Sequence, residues 1–392
     1  MTEKLYYGNS DSHVSEFEAR VISCHEAGDG RFEIILDRTA FFPEGGGQPS
    51  DEGKLLFDGG EATVSHVFEK NGVITHICSA AIAENTAVCG KLDFDKRFRR
   101  MQNHSGEHII SGIAHSLYGF ENVGFHIGSE DTTLDFNGVL DDDQIRELET
   151  LANEAVWKNV PFTVLFPTDD ELRKLEYRSK KEIAGQVRLV RVEGYDLCAC
   201  CAPHVSRSGE IGVIKIVSYI HYKGGVRLHI LCGRDALEHF ERTDDSVFAV
   251  SRMLSTKHDE LFSAVKRLSD ELAEQKRAVA EIKSELAKLR AASLVPTDGN
   301  IVIIDPLLDT QDMRALANVG AGIAKGVCAV FSPKDGGYSY IIASETADLR
   351  AVSKDINQAL DGRGGGSSAM IQGSVSCAEK TICEYFGADK AY

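Results

Sequence analysis

Between Gly233 and Pro296 the chain contains neither glycine nor proline. An interval that long without a breaker forces a long helical segment and divides the sequence into a part before it and a part after it. Leu254, His258, Leu261, Val265, Leu268, Leu272, Gln275, Val279, Ile282, Leu286 and Leu289 step along it by four and three alternately. With His258 and Gln275 as polar interruptions, this is the seam of a coiled coil. Thr256, with Asp259 and Glu260 close behind, marks a fresh start. A continuous helix over residues 256–290 spans roughly 50 Å. Its stripe needs a partner, either a second copy of the chain or the shorter helix of residues 234–254 folded back. A plain spacer arm is compatible with both.

The two flanks read differently. Residues 1–92 are β-rich, with alternating runs such as Arg20-Val21-Ile22-Ser23-Cys24 and Phe32-Glu33-Ile34-Ile35-Leu36 separated by Gly, Asp and Asn. A small barrel or sandwich fits. Residues 93–234 mix helix and strand. Phe98, Met101, Ile109, Ile113 and Leu117 form a helical stripe, as do Ile145, Leu148, Ala152 and Val156. Asp169 and Asp170 open a third helix running towards Tyr177, and Lys223-Gly224-Gly225 is the turn of a hairpin. Residues 235–295 are the helical arm. Residues 296–392 return to an α/β pattern, with Ile301-Val302-Ile303-Ile304 as a buried strand and Gly362-Arg363-Gly364-Gly365-Gly366 as a Gly-rich turn. The expected class is therefore α+β multidomain: a β-barrel-like domain, an α+β domain, a coiled-coil arm and a C-terminal α/β domain.

Charge and cysteine content narrow the function. Lys plus Arg is 43 and Asp plus Glu is 60, a formal net charge of −17. A chain this acidic is not a general nucleic-acid coat, so any such contact must be local. No apolar run reaches a membrane span, and Met1-Thr2-Glu3-Lys4 opens no signal sequence, which points to the cytoplasm and to no membrane partner. The ten cysteines then read as thiol or metal chemistry rather than disulfides. Cys78, Cys89, Cys232 and Cys328 suit buried strand positions. Cys198, Cys200 and Cys201 cluster ahead of His204.

His104-Ser105-Gly106-Glu107-His108 places two imidazoles at i and i+4, on one face of a helix and one turn apart. Cys200 and His204 repeat the spacing. Together they make a set of nitrogen and sulfur donors suited to Zn²⁺. Glu107 precedes the second His rather than following the first, so the spacing is not that of the H-E-x-x-H zinc proteases. A solvated or supporting Glu107 fits better than a catalytic base. In Pro43-Glu44-Gly45-Gly46-Gly47-Gln48 the three glycines allow a backbone to approach a ligand closely, although a plain hairpin turn explains them equally well. Lys96-Arg97-Phe98-Arg99-Arg100 is one basic stretch, and Arg173, Lys174, Arg178, Lys180, Lys181, Arg188 and Arg191 make another. Singly they are solvated helix faces; jointly they can guide phosphates.

In that order, Thr39 with Phe42-Pro43-Glu44-Gly45-Gly46-Gly47-Gln48-Pro49, then His104 and His108, then Cys200 and His204 resemble the editing domain of alanyl-tRNA synthetases. The resemblance is closer still to the free-standing alanyl-tRNA editing proteins called AlaX. Gly124-Phe125-His126-Ile127-Gly128, and Ser208-Gly209-Glu210-Ile211-Gly212 followed by Arg227, continue it. The C-terminal part with Gly364-Gly365-Gly366 resembles the DHHA1 domain of the long AlaX form. At the second donor pair the synthetase pattern is C-G-G-T-H, where this chain has Cys200-Cys201-Ala202-Pro203-His204, so Cys198 and Cys201 become rival thiolates. The class II aminoacylation domain is not recognisable.

The resemblance implies a trans-editing hydrolase that removes serine, alone or together with glycine, from tRNA(Ala). It implies zinc on His104, His108, Cys200 and His204, with Gln48 and Thr39 as catalytic residues. Substrate or tRNA contacts would fall to Gly45, Gly46, Gly47, Arg97, Arg100, Arg227, Gly364, Gly365 and Gly366. A homodimer through the arm and the C-terminal domain is also implied. Rival readings are editing of Ser-tRNA(Thr), a zinc-stabilised non-catalytic tRNA-binding or oligomerising module, and a metallohydrolase of small esters.

Overall fold

The computed structural model describes residues 1–8, 11–179 and 185–387. They form two compact units, Met1–Ala249 and Val250–Tyr392. Among the described residues no helix is long and apolar enough to cross a membrane.

The first unit begins with β1 (Glu3–Lys4), β2 (Glu16–Gly28), β3 (Arg31–Leu36), β4 (Arg38–Thr39), β5 (Gly53–Phe57), β6 (Gly60–Lys70), β7 (Val73–Cys78) and β8 (Ala87–Leu92). Six of these close a barrel in the order β2-β3-β7-β6-β5-β8, which settles the choice between barrel and sandwich. Phe17, Ala19 and Val21 alternate inward along β2 against Glu16, Glu18 and Arg20 outward, the period a barrel wall requires. Closure leaves no unpaired edge. Phe41 and Phe42, from the loop after β4, fill the barrel's interior beside Ile34, Leu55 and Ile74.

The chain then forms α1 (Phe94–Tyr118), β9 (Asn122–Ile127), β10 (Thr132–Phe136), α2 (Asp142–Trp157), β11 (Phe162–Leu165), α3 (Asp169–Leu172), β12 (Leu189–Val192), β13 (Asp196–Ala199), β14 (Ile214–Tyr222), β15 (Gly225–Cys232) and α4 (Arg234–Met253). Asp93 starts α1 by accepting the Lys96 N–H, and Gly119, left-handed at φ 68°, ends it. The strands make a four-stranded sheet, β14-β15-β10-β9, and a small one, β11-β12-β13. Met101 and Ile109 of α1, Leu148 and Ala152 of α2, and Leu134 and Leu228 of the larger sheet share one core. α1 can lie this close to β15 because Gly106 has no side chain: a Cβ there would stand 2.4 Å from Cys232 Sγ. The expected helix towards Tyr177 stops after the four residues of α3. Past Leu172 there is no apolar stripe to hold it, and Arg178 bridges in parallel to Cys198. Lys180 and Lys181 of the second basic stretch lie outside the described residues.

In the second unit Ser255, at φ 50°, and a 3-10 turn over His258–Glu260 precede α5 (Leu261–Ser293), so the helix starts later than Thr256. Next come β16 (Ile301–Ile304), α6 (Thr310–Ala321), β17 (Cys328–Lys334), β18 (Gly337–Ala343), α7 (Leu349–Ala359), β19 (Gly362–Gly366), β20 (Met370–Val375) and α8 (Glu379–Phe386). The sheet order is β16-β17-β18-β20-β19. Ile301 and Ile303 face Met313 and Leu316 of α6, whereas Val302 faces the side covered by Leu349 and Ile356 of α7. A strand covered on both faces reads as a continuous apolar run. Gly362–Gly366, expected as a turn, is instead the sheet's edge strand paired with β20. Glycine is required there because a Cβ at Gly364 would meet the Tyr340 hydroxyl at 2.3 Å.

Candidate metal centre and its cavity

One turn of α1 separates His104 from His108, and the loop after β13 carries Cys200 and His204 to the same place. Their donor atoms all lie within 4.8 Å of one another. The ring centroids are 5.5 Å apart for His104 and His108, 4.7 Å for His104 and His204, and 4.5 Å for His108 and His204. Cys200 Sγ is 3.3 Å from His204 Nε2 and 3.6 Å from His104 Nε2.

Each imidazole has its other nitrogen occupied. His104 Nδ1 contacts Gln48 Oε1 at 2.8 Å, His108 Nδ1 contacts Asp196 Oδ2 at 2.8 Å, and His204 Nδ1 contacts Ser105 Oγ at 3.1 Å. An Nδ1–H donated to oxygen fixes the tautomer and leaves Nε2 as the lone-pair donor, the usual support of a metal-ligating histidine. Burial holds His204 well below its ordinary pKa, with His108 and His104 adding to the effect, so it is neutral, as a ligand must be. Burial also pushes the Cys200 thiol up. A bound cation would favour the thiolate. The donor set, with three oriented Nε2 atoms and one thiol, fits a metal ion.

The rival thiols are separated by position. Cys198 belongs to a second, overlapping group with His108 and Asp196, while Cys201 is exposed on the wall of a cavity of about 620 Å³. His104 and His108, Gly46 and Gly47, Phe125 of β9, and Arg188 also line that cavity. The Gly-rich segment is a tight turn closed by mutual N–H···O bonds between Gly45 and Gln48 of 3.1 Å. Gly46 and Gly47 take φ of 61° and 84°, which favours glycine at both. The Ile127 N–H donates to Gly47 O at 2.8 Å, and a Cβ on Gly47 would stand 2.3 Å from Phe125 O. The barrel's loop is thereby seated on β9 at the mouth of the cluster.

The other expected site residues are dispersed. Gln48 is buried behind His104, and its Nε2 has no acceptor among the described residues. Thr39 is buried inside the barrel, with Oγ1 2.8 Å from His76 Nε2, and does not line the cavity. Arg97 has no exposed surface. Its Nε donates to Asp51 Oδ2 at 2.8 Å and its Nη1 to Ser12 O at 3.1 Å, which ties the barrel to α1. A guanidinium so enclosed cannot meet a phosphate. Arg100 donates to Ser50 O and Glu52, and Arg99 to Asp235 and Glu238, so the first basic stretch is answered by acids. Arg227 pairs with Asp135 and lies 3.9 Å from the Tyr222 ring centroid. Gly364, Gly365 and Gly366 belong to the second unit. Glu107 is not solvated: it is buried, accepting from Ser111 and Asn122. Sequence reasoning missed Ser105, Asp196, Tyr7 and the cavity position of Arg188. Only Asp196 carried a signal, its two-residue spacing from Cys198 on a strand.

In sequence the chain is similar to aminoacyl-tRNA synthetases and their relatives. The family model for tRNA synthetases class II (A) matches residues 2–96, the barrel. The model for the threonyl and alanyl tRNA synthetase second additional domain matches residues 187–228, which carry Arg188, Cys200 and His204. The alanyl-tRNA editing protein Aarsd1 of Danio rerio is 27% identical over 389 residues, 94% of this chain and 93% of that protein. The alanine–tRNA ligase of Halorubrum lacusprofundi is 31% identical over 358 residues, 87% of this chain but 38% of the ligase. The chain thus spans about two fifths of such ligases. The C-Ala domain of Aquifex aeolicus alanyl-tRNA synthetase matches 24% of this chain at 17% identity and a TM-score of 0.20, too slight a likeness to argue from. The chain belongs to the alanyl-tRNA synthetase-related family that includes the alanyl-tRNA editing proteins.

Proposed function

We propose that the chain is a trans-editing hydrolase that cleaves the ester joining a wrong amino acid to the terminal ribose of tRNA(Ala). The observation that carries this reading is the cluster of three oriented imidazole Nε2 atoms and the Cys200 thiol, of which His104, His108 and Cys200 line a cavity also lined by Gly46 and Gly47. Serine is the primary substrate and glycine a second one. A synthetase pocket for alanine cannot strongly reject serine, which only adds a hydroxyl, so a separate site must hydrolyse the error.

We assign Zn²⁺ to His104, His108, Cys200 and His204; when bound, it supplies a Lewis-acidic centre beside the scissile ester. The chain's own groups do the rest. Gln48 orients His104 through Oε1 and, buried and away from the cavity lining, supports that imidazole rather than touching substrate. Asp196, held by Arg178 at 2.7 Å, orients His108. The Gly46–Gly47 backbone, free of side chains, lets the acylated ribose approach. We place Thr39 as a support of the loop rather than a substrate contact, since its hydroxyl accepts the Phe41 N–H at 3.1 Å inside the barrel. The second unit, with Gly364–Gly366, is assigned to tRNA binding. The apolar residues exposed along α5, among them Phe262, Leu268 and Ile282, are assigned to pairing with a second copy.

Replacing His104 and His108 together with alanine is expected to remove the bound zinc and abolish deacylation of Ser-tRNA(Ala). Full activity in a zinc-free double variant would end the metal role. Parallel assays on Ser-tRNA(Thr) separate the alternative substrate, and tight tRNA binding without turnover would indicate a non-catalytic module.

A further inference from the structure

Arg188 is a buried cation whose charge no carboxylate answers among the described residues. Only 4% of the residue is exposed. Its Nε donates to Tyr7 O at 3.0 Å, and its Nη1 donates to Cys200 O at 2.6 Å and Ala202 O at 3.1 Å. Those three bonds use three of the five N–H groups of the guanidinium. Nη2 makes no bond to a described residue, yet it is not among the fully enclosed orphan atoms. The plane leans on the Tyr7 ring, 5.0 Å from its centroid, so the side chain is held in one orientation. Among the described residues lining the cavity Arg188 is the only lysine or arginine.

Withdrawing a charge from water is costly unless an opposite charge meets it. Around Arg188 stand backbone carbonyls, an aromatic ring and the Cys200 and Cys201 sulfurs, and the thiolate that Cys200 becomes on binding a metal is shared with that metal. Among the described residues Arg188 Nη2 therefore has no anion to meet, and the cavity that Arg188 lines is where one can reach it. A neutral ester carbonyl brings no net charge. A phosphodiester brings a full one, and its oxygens suit the geometry of an arginine fork. The chain's net charge of −17 makes such a local cation necessary if a phosphate is to enter at all.

We propose that Arg188 is the phosphate seat of the cavity: Nη2 receives the phosphodiester that joins the last two nucleotides of the acylated 3′ end, and so sets how deeply the terminal nucleoside enters. Arg188 is thus a positioning residue. The inference rests on the editing reading, since it takes the occupant to be a tRNA terminus.

Two measurements on the full chain test it. The first is calorimetric binding of adenosine 5′-monophosphate and of adenosine to the unaltered protein, and to R188K and R188Q. AMP is expected to bind about tenfold more tightly than adenosine to the unaltered protein, with the preference reduced in R188K and lost in R188Q. Equal affinities in the unaltered protein would overturn the proposal, and this arm needs no variant to fold. The second compares deacylation of seryl-tRNA(Ala) with that of seryl-adenosine, which lacks the phosphate. R188Q is expected to raise KM for the tRNA, with a loss about tenfold larger than on seryl-adenosine. A fall in kcat of equal size on both substrates would place Arg188 on the ester instead. If neither substrate turns over in the unaltered protein, the editing reading fails, while the AMP preference still decides whether the cavity seats a phosphate.

Discussion

Three imidazoles reach one point because three unrelated residues hold them there. Asp196 is the most exacting of these. Burial alone would raise its carboxyl, but hydrogen bonds from His108 and Arg178 outweigh that and hold it below the usual carboxylate range. Asp196→Asn keeps the shape and removes the charge. The expected result is a 10- to 100-fold loss of zinc affinity, read by competition with a chromophoric chelator; unchanged affinity would separate Asp196 from the cluster. A second residue-scale prediction concerns the barrel. His76 is fully buried between Thr39 Oγ1 and Ile34 O, and burial pushes its imidazole down to about 4. An unfolded histidine titrates near ~6.5. Between those values the unfolded chain holds the extra proton, so this contribution to stability is complete above about pH 6.5 and is lost as pH falls towards about 4, in total about 3 kcal/mol. His76→Gln is expected to flatten that dependence, measured as urea midpoints at pH 7.5 and pH 4.5. Equal pH slopes in both proteins would contradict it.

The elements make the cluster possible by lying unusually close together. α1 carries both histidines with Gly106 between them, and that glycine allows the helix to sit on Cys232 of β15. Gly106→Ala is expected to push the helix off the sheet, costing about 1–3 kcal/mol of stability and weakening zinc binding while α1 stays helical. A circular-dichroism melt and a metal titration check this; native zinc affinity would show that the close approach does not set the donor geometry. Much at this scale is legible in the sequence. The stripes of α1 and α2, the alternation of the barrel strands and the Lys223–Gly224 turn each follow a local period that tertiary structure then uses. The exceptions have causes beyond local pattern. Gly362–Gly366 has no periodicity to read and becomes a strand because β20 pairs with it. The charges of Arg97 and Arg100 look free until Asp51 and Glu52, nearly fifty residues away, are folded against them. The donor spacing named Cys200, but only folding could set Cys198 beside Asp196 instead.

At the scale of the whole molecule, the proposed function asks an acidic chain to handle an acidic substrate. Its formal charge of −17 argues for a few placed cations rather than a basic face, and most of the basic stretch in the first turns of α1 is already answered by acids. A terminus handled this way should bind more weakly as salt rises, and only modestly so, because few phosphates are contacted. The cluster and cavity both lie in the first of the two compact units, residues 1–249. The most direct test of the central claim is the release of serine and of alanine from purified Ser-tRNA(Ala) and Ala-tRNA(Ala), with and without a zinc chelator. The account predicts rapid loss of serine, sparing of alanine, and loss of the activity on chelation with recovery when zinc is restored. Equal hydrolysis of both amino acids, or serine release that persists in demonstrably zinc-free protein, would contradict it.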